Sequence, residues 1–180
     1  CSSGAAPTPS SLPTATASHF DHEIELVIVF GRECRNVSEA DALDYVAGYC
    51  TGNDFSARDM QYLTSQFMIG KTFDGFAPLG PHLVTSDLVG DPNNLRLECR
   101  VNGEQRQDWN TNDMIFNCRQ MISFASRMMT IKPRRARART CRIMPALGVM
   151  PPAGRSAQSS TRSAPPWGCC SSATSIPTTR

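Results

Sequence analysis

Glu23-Ile24-Glu25-Leu26-Val27-Ile28-Val29-Phe30 is the stretch on which the reading of this chain turns. Successive residues of an extended chain project to opposite faces, so Ile24, Leu26, Ile28 and Phe30 share one face and Glu23, Glu25, Val27 and Val29 the other. The spacing predicts a strand with an apolar side for a core. Glu23 and Glu25 stand two apart on it, with Cα atoms about 6.7 Å apart. Like charges that near either raise a pKa or draw in a cation. An arbitrary Glu-x-Glu is most often a solvated strand edge. Its company shifts the balance here: His22 ahead of it, and Asn53-Asp54-Phe55-Ser56-Ala57-Arg58-Asp59 downstream at an element boundary. Glu23, Glu25 and Asp54 together form a hard oxygen donor set suited to Mg2+ or Mn2+, and three such ligands on an octahedral ion leave about three positions for water and a chelating substrate.

Outward from that strand, Ser38 is placed to cap a short helix through Asp44, with Asp41 in the capping-box position. Tyr45 to Thr51 is extended, and Ser56 is placed to cap a helical turn carrying Arg58 and Gln61. Asp91-Pro92-Asn93-Asn94 is a turn, and Asn102-Gly103 joins Leu95–Val101 to Glu104–Asp108 as a hairpin. Thr111 then caps a helix from Asn112 to about Met128, its buried stripe marked by Ile115, Ile122, Ala125 and Met129. Asp113 and Arg127 complement its two ends. Strands with few, scattered helices predict an α+β fold.

The rest of the 180-residue chain bounds the answer. Its formal charge of +2 hides a segregation: residues 19–133 hold all 16 acids and only 10 of the 18 bases, and the remaining eight, all Arg, follow residue 133. Residues 1–18 carry no charged side chain and read as a disordered linker or artefactual segment. Residues 134–180 lose all periodicity and read as a disordered Arg/Ser/Pro-rich tail. Cys34, Cys50, Cys99 and Cys118 occur singly, without Cys-x-x-Cys pairs, and read as buried thiols of a reducing compartment rather than a disulfide frame. No apolar run approaches the ~20 residues that span a bilayer, and the first 18 residues lack a signal peptide's apolar core. Expected partners therefore exclude membrane. The Arg run at 134–139 invites a nucleic-acid reading, but it lacks interleaved aromatics and the acidic core would repel a phosphate backbone, so nucleic acid is not expected either.

Gly70-Lys71-Thr72 resembles the end of a P-loop, but Ser65 stands where that motif needs its first glycine, and Gln66 to Ile69 are too bulky to wrap a phosphate. An ordinary surface lysine is the bland reading of Lys71. Its apolar flanks (Phe67 to Ile69, Phe73, Phe76) fit a partly buried ammonium that holds a substrate carboxylate or stabilises an enolate.

Five ordered blocks make the reading specific: His22 to Leu26; Asp44 to Tyr49; Asn53 to Gln61; Gly70-Lys71-Thr72-Phe73-Asp74 with Pro78-Leu79-Gly80-Pro81; and Val101-Asn102-Gly103-Glu104 with Asn110 to Phe116. In order and spacing they resemble the catalytic core of the fumarylacetoacetate hydrolase family. The resemblance implies Glu23, Glu25 and Asp54 as metal ligands, Arg58, Gln61 and Lys71 as substrate contacts, and Lys71 as the catalytic lysine. It also implies a mixed β-barrel or roll with flanking helices, incomplete in this chain, and a homodimer. The chain departs from the family pattern in two places. No His/Glu lid pair precedes Glu23, and after Pro133 the family's Gly-Asp strand and Thr-Gly-Thr-Pro loop are replaced by Arg134-Arg135-Ala136. An abrupt loss of acids of this kind fits out-of-frame or mis-spliced reading.

The expected activity is Mg2+- or Mn2+-dependent hydrolysis of a C–C bond in a small diketo acid, acylpyruvate- or fumarylacetoacetate-like. The same electron sink serves an oxaloacetate tautomerase or decarboxylase, which is the alternative. An inactive remnant is the third reading. The expected compartment is the cytoplasm, with the mitochondrion as alternative.

Overall fold

The computed structural model describes residues 12–133 and the backbone of 170–175. Its described strands fall into three sheets. The central one is built on the stretch that opened the sequence reading. β2 (Ile24–Phe30) pairs antiparallel with β3 (Val46–Asn53), Glu25 lying opposite Gly52 and Ile28 opposite Tyr49. β5 (Val84–Thr85) adds to the far edge of β3. β1 (Phe20–Asp21) and β4 (Ser56–Ala57) form a two-residue ladder, Phe20 opposite Ala57 and Asp21 opposite Ser56. β6 (Arg96–Val101) and β7 (Glu104–Asn110) are the expected hairpin. Both turn residues are left-handed, Asn102 at φ 53° and Gly103 at φ 83°, as a tight two-residue hairpin turn requires.

The apolar alternation works as expected on one side. Ile24, Leu26, Ile28 and Phe30 join Val46, Tyr49, Leu97, Cys118, Ile122 and Ile131 in the main core. The other side of β2 is covered too: Val27 is fully buried and Glu25 is 3% exposed. Gly52 lies against Val27 and Leu79, and an isolated bridge brings Leu79 onto Gly52. A second core of Ala17, Ala57 and Phe76, with Phe20, Phe55 and Phe73 packed on it, sits at the β1–β4 ladder. Its rings meet at 5.1 to 6.4 Å, edge-on, tilted or stacked.

The helices correct the sequence reading. The turn after Ser38 is a 3-10 turn at Ala42–Tyr45, although Ser38 and Asp41 do bond each other. Ser56 is a strand residue; α1 (Arg58–Gln61) starts after Ala57. Thr111 opens only a 3-10 turn, because its hydroxyl is spent on the Pro92 carbonyl and the Leu95 amide. The chain is extended at Met114, and α3 (Cys118–Met128) begins at Asn117, which forms a capping box with Gln120. Ile115 and Met129 are therefore exposed, while Ile122 is buried. A short α2 (Ser86–Val89) follows β5.

The fold mixes helix and sheet, as expected, but no closed barrel forms among the described residues. At the start of β2 the Ile24 amide donates to the Gln107 side chain of β7, so a side chain stands where a ladder bond would continue the sheet. In the segment expected to be a disordered tail, Cys170–Ser175 forms β8, antiparallel to β6 on the edge opposite β7. The unpaired amides and carbonyls of an edge strand template such pairing. The other residues of the expected linker and tail lie outside the described residues, apart from 12–18. No described helix is long and apolar enough to cross a membrane.

Candidate metal and substrate site

The β2–β3 ladder brings the acids together. Beyond Ile24 and Asn53 the pairing runs on in a looser form: the Glu23 amide donates to the Asn53 side chain, and the Asp54 amide donates to the Glu23 carbonyl. Glu23 and Asp54 thus face each other across the strand ends, and Glu25 lies one pleat further in. One carboxylate oxygen from each of Glu23, Glu25 and Asp54 lies within 4.8 Å of the others.

Two cations close on this cluster. Lys71 Nζ donates to Glu23 at 2.9 Å, Asp54 at 2.8 Å and the Ser56 hydroxyl at 2.9 Å. All three ammonium protons are thereby engaged. Burial pulls the Lys71 pKa down, but the hydrogen bonds and charges of Asp54 and Glu23 outweigh it and hold the ammonium above its ordinary range. Lys71 is therefore a fixed positive charge in this arrangement, not a resting base. Arg58 reaches the cluster from the first turn of α1. Its Nη2 lies 2.6 Å from Glu23 and 2.7 Å from Asp21, and its Nη1 donates to the Gln61 side-chain oxygen at 2.7 Å. Burial opposes its charge as well, and the Asp21 and Glu23 carboxylates more than restore it. Gln61 is buried beside it.

Lys71 owes its place to Gly70. A Cβ on Gly70 would lie 2.7 Å from the Ala57 carbonyl and 2.8 Å from Gln61 Cα, so the 3-10 turn Phe67–Gly70 rests directly on β4 and α1. The structure thus brings together Glu23, Glu25, Asp54, Arg58, Gln61 and Lys71, every site residue the sequence singled out. Two members were missed. They are Asp21, and Ser56, which the sequence placed only as a helix cap; the Asp21–Ser56 pairing that sets both beside the cluster leaves no mark in local sequence pattern.

The donor set fits a divalent cation. Glu23, Glu25 and Asp54 each bring a carboxylate oxygen to one place, while Arg58 and Lys71 pair with Asp21, Glu23 and Asp54 around it. Carboxylates are hard oxygen donors, which suit Mg2+ or Mn2+ better than a softer metal.

A profile of the fumarylacetoacetate hydrolase C-terminal domain matches residues 3–134. The chain belongs to the fumarylacetoacetate hydrolase family. Among curated relatives, the mitochondrial oxaloacetate tautomerase of Xenopus laevis is 48% identical over 115 residues, covering 63% of this chain and 36% of the relative. Among solved structures, the fumarylacetoacetate hydrolase of Exiguobacterium antarcticum superposes with TM-score 0.67 at 38% identity, over 71% of this chain and 46% of that one. A 5-carboxymethyl-2-hydroxymuconate delta-isomerase of Mycobacterium smegmatis gives 0.66 at 40% identity, over 71% and 49%. The chain spans less than half the length of each of these three relatives. Members of this family are enzymes, and their names span hydrolysis, isomerisation and tautomerisation of small oxo acids.

Proposed function

We propose that this chain carries a divalent-cation site for a small 2-oxo acid, and that its reaction is the keto–enol tautomerisation of oxaloacetate. The observation that carries the reading is the convergence of Glu23, Glu25 and Asp54 within 4.8 Å, with Lys71 and Arg58 against them. The tautomerase name of a relative 48% identical to the chain favours that reaction over the others on the same site. Glu23, Glu25 and Asp54 would hold Mg2+ or Mn2+. Such an ion supplies Lewis-acid polarisation of the substrate's oxo and carboxylate oxygens.

The chain's own residues do the rest. Tautomerisation moves one proton between the ketone oxygen and the neighbouring carbon, and negative charge builds on that oxygen on the way. A fixed Lys71 ammonium stabilises it, because a preorganised charge needs no reorganisation at the moment of reaction. Ser56 keeps Lys71 aimed. Arg58 and Gln61 orient the substrate's carboxylate. Hydrolysis of a C–C bond in an acylpyruvate is the second reading, favoured by the fumarylacetoacetate hydrolase among the structural relatives; decarboxylation shares the same enolate. Residues 19–133 are the functional unit in this reading, part of a mixed β-roll in a homodimer.

The test joins binding to turnover. Calorimetry with Mg2+ and Mn2+ is expected to find one site, lost in Glu25→Gln, and wild-type chain with either ion is expected to speed decay of the oxaloacetate enol absorbance. Unchanged metal binding in Glu25→Gln removes the foundation. Intact metal binding without turnover of oxaloacetate or acetylpyruvate overturns the catalytic reading and leaves an inactive remnant.

A further inference from the structure

Asp21 lies on β1, opposite Ser56, at the rim of the carboxylate cluster. One of its oxygens accepts two bonds from the same guanidinium, Arg58 Nε at 3.0 Å and Nη2 at 2.7 Å. The other accepts the His22 amide at 2.9 Å, which fixes the carboxylate's own rotation. The ladder beneath it is pinned from a second direction. The Ser18 amide and hydroxyl donate to the Asp59 carboxylate at 2.7 and 3.0 Å, and the Arg58 amide donates to the His19 carbonyl at 2.7 Å. Residues 18 to 21 are thus strapped along α1, and Asp21 cannot drift from Arg58 without breaking the strap.

This matters because an arginine side chain is long and its planar fork works only when aimed. Arg58 has five N–H donors. Nε and one Nη2 proton go to Asp21, the second Nη2 proton lies toward Glu23, and one Nη1 proton goes to Gln61. Only one Nη1 proton has no acceptor among the described residues. With Asp21 gripping the Nε edge, the Nη1 edge is the one left to face a ligand, on the side where Gln61 stands.

We infer that Asp21 is a positioning residue: it clamps the Nε edge of Arg58 and so presents the Nη1 edge, with Gln61, to the carboxylate of the substrate. The inference rests on the 2-oxo acid reading above. It extends the binding machinery to a residue on the far side of Arg58, one that does not touch substrate.

Two measurements on the full chain, wild type and Asp21→Asn, test it. The first is the Arg58 Nε–H resonance, assigned by its loss in Arg58→Lys. In wild type it is expected to be downfield and protected from solvent exchange, and in Asp21→Asn to return to the free-arginine position. The second is calorimetric affinity for oxaloacetate with Mg2+ present. Losing charge-assisted bonds that orient the guanidinium is expected to weaken it about tenfold, with Mg2+ affinity within twofold and an unaltered thermal midpoint. A merely structural role would move the midpoint and Mg2+ affinity together. Unweakened oxaloacetate binding in Asp21→Asn, or an unchanged Nε–H signal, overturns the inference alone. No oxaloacetate binding by the wild-type chain overturns the substrate reading, and this inference with it.

Discussion

Substituting Gly70 by Ala perturbs the site without replacing any residue in it. The added Cβ would meet the Ala57 carbonyl at 2.7 Å, Gln61 Cβ at 2.7 Å and Gln61 Cα at 2.8 Å, about 0.7 Å inside the 3.4 Å where ordinary contact begins. Two of the three obstacles are backbone, in β4 and α1, so no rotamer change relieves them. The 3-10 turn must lift off by roughly the deficit. Overpacking of this kind costs about 1–3 kcal/mol. Lys71 is the next residue, and its three bonds of 2.8 to 2.9 Å do not survive such a displacement unaltered. Misplacement of a catalytic group by about 1 Å costs on the order of 10²-fold in rate. The assay pairs a urea melt with oxaloacetate turnover in Mg2+. Gly90→Ala is the control: its Cβ meets nothing within 4 Å, but its φ of +71° makes a side chain strained. It is expected to lose stability of similar size and leave turnover per folded molecule unchanged. Gly70→Ala melting with wild type would refute the packing argument. Equal turnover per folded molecule in the two variants would refute its coupling to Lys71.

Two further outcomes follow from the rest of the fold. Asn117→Ala is expected to lower stability by about 1 kcal/mol, because the Gln120 amide loses the Asn117 side-chain acceptor while the backbone amide of residue 117 still donates to the Gln120 side chain, whereas Asn117→Gly costs only a few tenths; equal urea midpoints for the two would count against the cap. Burial, then the Asp91 charge, pushes the Cys118 thiol from 9.0 up to about 12, and burial raises Tyr49 as well. Both become anions, so the folded chain keeps protons that the unfolded chain releases. Stability is full below pH 9 and falls as pH rises toward 12. Urea midpoints taken in steps above pH 9 check this, and a midpoint flat to pH 12 in the wild type would contradict the burial of both groups.

What the sequence disclosed was set by range. The β2 alternation and the Asn102-Gly103 turn are local patterns, and both elements stand where the pattern put them. The six residues proposed for the site, which the structure gathers in one place, were legible as a group because each belongs to a short block of fixed spacing. The start of α3 was not legible. Thr111 and Asn117 are both good caps by residue type, and what separates them is that the Thr111 hydroxyl is committed to Pro92 and Leu95, 19 and 16 residues away. Glu25 shows the same limit: it is buried on β2 although its residue type reads as solvated, and the strand that faces it, with Gly52 opposite, is set by long-range pairing.

Asp21, Glu23, Glu25, Asp54, Ser56, Arg58, Gln61 and Lys71 all come from one stretch of chain. The β2–β3 pairing gathers most of them by closing residues 31 to 45, and the entropy of closing a loop grows only slowly with its length. The β6–β7 hairpin reaches this end of β2 through Gln107, whose side chain accepts the Ile24 amide. The chemistry of this chain is therefore written in neighbouring sentences rather than across chapters. A nascent polypeptide that has emerged only as far as Phe76 already holds every charged group of the cluster, and the later elements supply the walls around it.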